Sequence, residues 1–190
     1  KIAQFDKDFQ SALDFFSSVK EVASIKDEVI KQLNLLSVDI VNSAIDDNGT
    51  GDFKSSMKKL YMAYTIDPEL NQDYLYFAAS SAVNSKMYDI ALDYYTQLKD
   101  IGYTGVVTKY FVTEVDSGLE TEVTEAEYNL YLKSKSYENQ REEDTPSRFP
   151  EIVKNIALIH AQMGNNEKAM AAVQEARESN PSDLNLILTE

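Results

Sequence analysis

Apolar residues recur three or four positions apart along much of this chain, which is the spacing of amphipathic α-helices. In the clearest case, residues 151 to 163 carry one apolar stripe and Gly164 interrupts it. Residues 167 to 179 repeat the helical spacing, and Pro181 ends that helix because proline cannot continue it. The pattern predicts a helix-turn-helix unit. Its first stripe consists of Ile152, Val153, Ile156, Ala157, His160 and Ala161.

Three stretches of the chain share one pattern with a period of about 34 residues. In each stretch a small residue is followed 12 positions later by a turn. Such a period is typical of stacked helix-turn-helix units, which bury their apolar faces only against their neighbours. Chains of this kind are usually binding scaffolds rather than catalysts. The three pairs are Ser56 with Pro68, Ala91 with Tyr103, and Ala169 with Pro181.

The third stretch, residues 150 to 183, has small residues, a bulky residue and a proline at fixed positions: Ala157, Ala169, Ala176, Val173 and Pro181. This arrangement resembles the tetratricopeptide repeat (TPR) family, whose pattern has the same residue types at the same positions. Two residues depart from it, because Val153 replaces the family's aromatic residue and His160 replaces its tyrosine.

Residues 37 to 70 and 72 to 105 fit the same frame more weakly, and residues 1 to 36 resemble helices of a partial preceding repeat. Residues 184 to 190 are expected to begin a further repeat that is cut short. The resemblance implies an all-α fold class: a TPR-like helix-turn-helix solenoid with an inserted β-hairpin and a short helix between its second and third repeats.

The repeat frame leaves residues 106 to 149 as an insertion of a different character. Residues 109 to 115 and 119 to 124 are rich in β-branched residues that alternate with charged ones, and Asp116-Ser117-Gly118 joins them as a short turn sequence. These segments predict a β-hairpin.

A short helix is predicted directly after the hairpin. Thr124 and Glu127 have the spacing of a capping box, in which a hydroxyl and a carboxylate satisfy free amides at a helix start. Residues 134 to 149 are predicted to be a polar, acidic loop.

A narrower resemblance rests on several groups of residues together. They are residues 89 to 95, the Gly102-Tyr103-Thr104-Gly105 turn, the inserted hairpin, and residues 151 to 159 with 167 to 171. Together they look like TPR proteins of the Bacteroidetes, many of which are exported to the cell envelope. This resemblance implies a periplasmic or cell-envelope location, with the cytoplasm as the alternative.

Composition excludes several classes of function. The net charge of −14 would repel phosphate backbones and anionic headgroups, so nucleic acid and membrane surfaces are not expected partners. No run of 18 apolar residues occurs, so no membrane insertion is expected. The absence of cysteine excludes thiolate catalysis and cysteine-ligated metals, and no cofactor is expected.

Three candidate chemical sites have simpler explanations. His160 is the single histidine and falls on the apolar face of its helix, which indicates a core or interface side chain. Residues 46 to 52 resemble a calcium loop, but Met57 stands where an EF-hand needs a glutamate, so a turn between helices is favoured. Paired carboxylates such as Glu142 with Glu143 lie in a charge run, which is typical of a solvated surface.

By resemblance, set positions of each first helix line the partner-binding groove of a TPR array. TPR domains that capture a C-terminal carboxylate need lysine and asparagine at two of these positions. Here Lys154 fits, whereas Leu158 takes the asparagine's place and Val41 and Ile45 are apolar, so that subclass is not expected. The predicted partner-binding residues are Tyr76, Ser80, Val83, Asn84, Lys154, Leu158 and Gln162.

Two functions follow as hypotheses. The first is a non-enzymatic scaffold that binds a protein or peptide through the groove, the inserted hairpin or both. The alternative is an envelope enzyme or small-ligand-binding protein that uses carboxylates. A closed pocket with two convergent buried carboxylates would favour the alternative, and an open groove would favour the scaffold.

Overall fold

The computed structural model describes residues 2–19 and 26–179, and this part of the chain is mainly helical with one small antiparallel sheet. The all-α expectation is therefore right only for the larger part of the fold. In chain order the elements are α1 (Ile2–Val19), α2 (Lys26–Gly49), α3 (Phe53–Ile66), α4 (Gln72–Asn84), α5 (Tyr88–Asp100), β1 (Thr108–Glu114), β2 (Glu120–Val123), α6 (Glu125–Tyr131), β3 (Tyr137–Asp144), α7 (Phe149–Gln162) and α8 (Asn166–Ser179).

The chain divides into two compact units. The helical unit contains α1 to α5 with α7 and α8, and the insertion unit is Thr104–Phe149. α2 runs without a break through residues 36 and 37, where the repeat frame places a division. Pro181 and the proposed next repeat at residues 184 to 190 lie outside the described residues.

Most of the small residues that the repeat frame assigned are buried in the helical unit. Ser56 and Ala91 are fully buried and Ala157 is almost so, whereas Ala169 is half-buried. Small side chains let neighbouring helices approach closely, and bulky residues such as Tyr95 fill the space beside them. A second cluster joins the N-terminal helices: Phe9, Leu13, Val29, Leu33, Ile40, Ala63 and Ile66.

The end of α5 shows how tyrosine replaces the expected proline. Gly102 has φ +67°, a left-handed conformation that glycine adopts without steric cost, and the amide of Tyr103 donates to the carbonyl of Leu98 at 2.9 Å. The chain turns back, and the Tyr103 ring is buried near the Tyr76 ring. The Tyr103 hydroxyl donates to the carboxylate of Asp73. An aromatic contact and a hydrogen bond thus fix this helix end.

The insertion unit contains the predicted hairpin and one strand more. β1 pairs antiparallel with β2, with Tyr110 opposite Val123, and the sheet order is β2-β1-β3. The predicted acidic loop is wrong over Tyr137–Asp144, which pairs antiparallel with β1. β3 is largely exposed, so its polar side chains face water while its backbone bonds to β1. A strand of this kind has no apolar alternation for sequence analysis to detect.

α6 packs on one face of this sheet. Val112 and Tyr128 are buried, and the Tyr110 and Tyr128 rings lie 4.9 Å apart. The predicted capping box is present, with the Glu127 amide donating to Thr124 Oγ1 and the Thr124 amide donating to the Glu127 carboxylate.

The two ends of the insertion unit meet. The amide of Arg148 donates to the carbonyl of Thr104 at 2.7 Å, and the amide of Thr145 donates to the carbonyl of Val107 at 2.9 Å. The first and last residues of the insertion unit are therefore held next to each other.

Candidate partner-binding surface

Two helices that carry the predicted groove residues, α4 and α7, both contact a tyrosine of α5. Asn155 Nδ2 of α7 donates to the Tyr95 hydroxyl at 3.1 Å, and the Tyr95 ring contacts the ring of Tyr76 on α4. Burial raises the pKa of Tyr95 to about 12, so the hydroxyl keeps its proton at neutral pH. Tyr95 thus joins α4, which contains Tyr76, to α7, which contains Lys154 and Leu158.

The four predicted residues of α4 differ in accessibility. Tyr76 is buried, and its ring contacts the rings of Phe77, Tyr95 and Tyr103. Ser80 and Val83 are half-buried, and Val83 packs against the core. Asn84 is exposed at the end of the helix. Tyr76 therefore supports the packing of α4 and α5, and its neighbour Phe77 presents the accessible aromatic ring.

The predicted residues of α7 lie nearer to the surface. Lys154 is half-buried, Gln162 is exposed, and Leu158 has 45% of its surface exposed. Leu158 lies at an open pocket of about 480 Å³ between α7 and α8, which we call the α7/α8 pocket. The pocket is lined by Ala157, Leu158, Ala161, Ala169, Met170, Val173, Gln174 and Arg177.

The α7/α8 pocket is apolar along most of its length and has polar side chains at one end. Met170 is 74% exposed, although methionine is usually buried in a helical core. Gln174 and Arg177 follow it at helical spacing along α8. No aspartate or glutamate is among the lining residues. Such a surface suits an apolar side chain of a partner flanked by polar groups.

His160 lies on α7 but does not line this pocket. Its Nδ1 atom is buried without a hydrogen-bond partner among the described residues. Burial, together with the positive charge of Lys168, lowers the pKa of His160 and so favours the neutral ring.

Sequence analysis missed Met170 as a surface residue of the pocket, because the repeat frame gave it no role. The frame assigned Val173 to packing, and Val173 does pack against the core while it also lines the pocket. The signal was present in the periodicity of α8, because Met170, Val173 and Arg177 recur at three- and four-residue intervals on one side of the helix.

One carboxylate of the calcium-like segment, that of Asp47, has a structural role. Asp47 is buried at the end of α2 and accepts from Lys59 Nζ of α3 at 2.6 Å. Lys59 also donates to Ser43 at 2.9 Å. Within the described residues no group of three acidic, histidine or cysteine side chains is placed to hold a metal ion. Asp47 thus joins two helices.

None of the helices within residues 2–19 and 26–179 has the length and apolar character that a membrane span requires.

No protein-family model matches this chain, and no curated protein matches it. Among solved structures, the crystal structure of BtubC (BKLC) from P. vanneervenii is similar over 94% of this chain, with 16% sequence identity and a TM-score of 0.41. The similarity covers 56% of BtubC, so the chain spans little more than half the length of that protein. At this identity and TM-score the similarity assigns neither a family nor a function to the chain.

Proposed function

We propose that this chain is a non-enzymatic scaffold that binds a protein or peptide partner. The observation that carries the proposal is the α7/α8 pocket, an open apolar surface that includes the predicted residue Leu158. The insertion unit is the second surface of this scaffold. Catalysis is not part of the proposal, since the carboxylates that an enzyme of this kind would use are not among the pocket's lining residues.

The energetics favour an apolar anchor from the partner. Complete burial of a leucine or methionine side chain stabilises a complex by about 1.5–3 kcal/mol relative to the exposed state. Leu158 and Met170 are 45% and 74% exposed, so both have surface to lose on binding. A few such contacts supply most of the free energy at an interface. An amphipathic helix or an extended apolar segment of the partner fits this surface.

The proposal includes the family and the location. We assign the helical unit to a TPR-like solenoid of the kind exported by Bacteroidetes, acting in the periplasm or cell envelope. The repeat pattern and the burial of most of its small positions support the TPR-like solenoid. The proposed location rests on the resemblance of the sequence to exported TPR proteins, and the cytoplasm is the alternative.

The experiment is site-specific photo-crosslinking in cells. A photoreactive amino acid replaces Leu158 in the pocket, Leu130 in the insertion unit, or Leu35 on α2 as a control of comparable exposure. The proposal expects a discrete crosslinked protein at Leu158 or Leu130 and none at Leu35. Equal labelling at all three positions, or no product at either of the first two in a folded protein, contradicts it.

Once crosslinking has identified the partner, calorimetry measures its affinity. Leu158→Glu introduces a charge into an apolar contact and should weaken binding by about tenfold or more. Leu35→Glu adds the same charge on α2 and should leave the affinity within about twofold. Equal affinities of the two variants would place the binding site elsewhere.

A further inference from the structure

The insertion unit has one long open strand edge. β2 has four residues and β3 has eight, and β1 lies between them, so both β2 and β3 are edge strands. Short edge strands offer few backbone groups to another chain, whereas a long exposed edge can accept a further strand. β3 is therefore the edge of this sheet with the greater capacity to pair.

Part of β3 is irregular and part is regular. The register shifts between Phe111 and Thr113 of β1, and Asn139 of β3 has φ +50°, which indicates a bulge near the start of β3. From Arg141 to Asp144 the pairing with β1 is continuous. An added strand would find its partners along this second half.

The backbone direction in this half follows from the ladder. The amide of Thr145 faces β1, because it donates to the carbonyl of Val107 at 2.9 Å. Backbone groups alternate in direction along an antiparallel strand, so those of Glu143 also face β1. Those of Glu142 and Asp144 consequently point away from the sheet.

Charge is distributed unequally over the two faces beside this edge. On the face away from α6, the acidic side chains have basic partners: Lys109 with Glu122, and Arg141 with both Glu120 and Glu143.

On the α6 side, Glu142 lies opposite Tyr110 in the ladder and Asp144 lies opposite Thr108. Neither carboxylate forms an ion pair within the insertion unit. Asp144 accepts a hydrogen bond from the Thr108 hydroxyl at 2.7 Å. Burial and then the nearby Glu142 carboxylate raise the pKa of Tyr128. Burial and then the negative charges of Glu125, Glu142 and Asp144 raise the pKa of Tyr110, because negative charge disfavours the tyrosinate.

We infer that the second half of β3 binds a basic, extended peptide segment of a partner as a fourth strand. Hydrogen bonds to the backbone of Glu142 and Asp144 would hold the peptide. Its lysine or arginine side chains would form ion pairs with the carboxylates of the same two residues, which have no basic partner in the insertion unit. A second copy of the chain fits this edge poorly, because antiparallel pairing of two β3 strands brings like charges together. The inference rests on the proposed binding function and names a partner chemistry for the insertion unit.

The test uses the full chain and a fluorescent acetyl-(Lys-Val)₃-amide peptide, with binding followed by anisotropy. The double variant Glu142→Gln/Asp144→Asn should weaken binding by about tenfold or more. The matched variant Glu120→Gln/Glu143→Gln removes the same charge from the other face and should change affinity less than about twofold. Increasing salt should weaken binding to the unaltered chain.

Two control peptides separate strand addition from simple charge attraction. The (Glu-Val)₃ peptide should not bind, and a (Lys-Val)₃ peptide with alternate N-methylated amides should lose binding because its backbone donors are blocked. No binding by (Lys-Val)₃ at millimolar concentration, equal weakening by both double variants, or full binding by the N-methylated peptide would overturn the inference. Unchanged thermal unfolding confirms that each variant is folded.

This assay is independent of crosslinking at Leu158. If the peptide fails to bind but the pocket still captures a partner, only the assignment of β3 is lost. If the peptide binds and the pocket captures nothing, the assignment of the α7/α8 pocket as a binding site is wrong.

Discussion

Asn155 of α7 donates a hydrogen bond to the hydroxyl of Tyr95 on α5 at 3.1 Å, although 60 residues separate them along the chain. The whole insertion unit lies between them in sequence. The contact is possible because Thr104 and Arg148 meet at the ends of the insertion, so α7 resumes packing beside α4 and α5. This side-chain hydrogen bond thus joins α5, which precedes the insertion in the chain, to α7, which follows it.

Removing the amide at this junction should destabilise the fold. Asn155→Ala removes one hydrogen-bond donor from the Tyr95 hydroxyl. Tyr95 is 1% exposed, so water cannot readily replace that donor. The expected loss in the free energy of unfolding is about 1–3 kcal/mol, measured by urea denaturation. Asn84→Ala, at an exposed position, should change it by less than about 0.5 kcal/mol. Equal effects of the two substitutions would show that the hydrogen bond is not formed in solution.

The buried tyrosines should ionise at a higher pH than exposed tyrosines do. Burial raises the pKa values of Tyr94 and Tyr95 to about 12, against an ordinary value of 10.0. The folded chain holds these protons more tightly than the unfolded chain does. Their contribution to stability is thus complete below pH 10 and is lost as the pH rises towards 12.

Ultraviolet absorbance during an alkaline titration, with circular dichroism recorded in parallel, checks this expectation. Part of the tyrosinate signal should appear only above pH 11, together with loss of helix. Complete ionisation of all tyrosines near pH 10 in a folded protein would contradict it.

Removing one partner of the Lys59–Asp47 ion pair should destabilise the fold strongly, whereas replacing both partners by apolar residues should destabilise it little. The Lys59 side chain is 3% exposed and its Nζ lies 2.6 Å from Asp47 Oδ2. Lys59→Met leaves a buried carboxylate without its partner, and should lower the free energy of unfolding by about 3–5 kcal/mol. Adding Asp47→Leu should restore most of the lost stability, because two apolar side chains leave no buried charge without a partner.

Chemical denaturation of the single and double variants measures both effects. Lys58→Met, on the exposed side of the same helix, is the control and should be nearly neutral. A double variant less stable than Lys59→Met alone would indicate that the charges contribute beyond their mutual pairing.

The helical unit should fold without the insertion. Because the Arg148 amide lies 2.7 Å from the Thr104 carbonyl, two or three glycines can replace residues 105 to 147 without stretching the chain. Circular dichroism of this variant should show a higher helical fraction, and a cooperative thermal transition should persist. A molten or unfolded product would mean that the helical unit depends on the insertion for its stability.

Local patterns in the sequence determined much of the secondary structure. Three- and four-residue spacing predicted α7 and α8, and the capping box at Thr124 placed the start of α6. Asp116-Ser117-Gly118 predicted the turn between β1 and β2. These features depend on residues a few positions apart, whose side chains and backbone interact wherever that segment lies in the fold.

Tertiary structure decided the features that depend on distant partners. β3 is a strand because β1 supplies its hydrogen bonds, while its own side chains carry no strand pattern. Tyr76 is buried because Gly102 turns Tyr103 back onto it. The α7/α8 pocket combines Leu158 and Met170 from two helices, and neither helix alone shows that both residues line one surface. Contacts between distant segments arise from packing, and hydrophobic periodicity within one segment does not specify its partners.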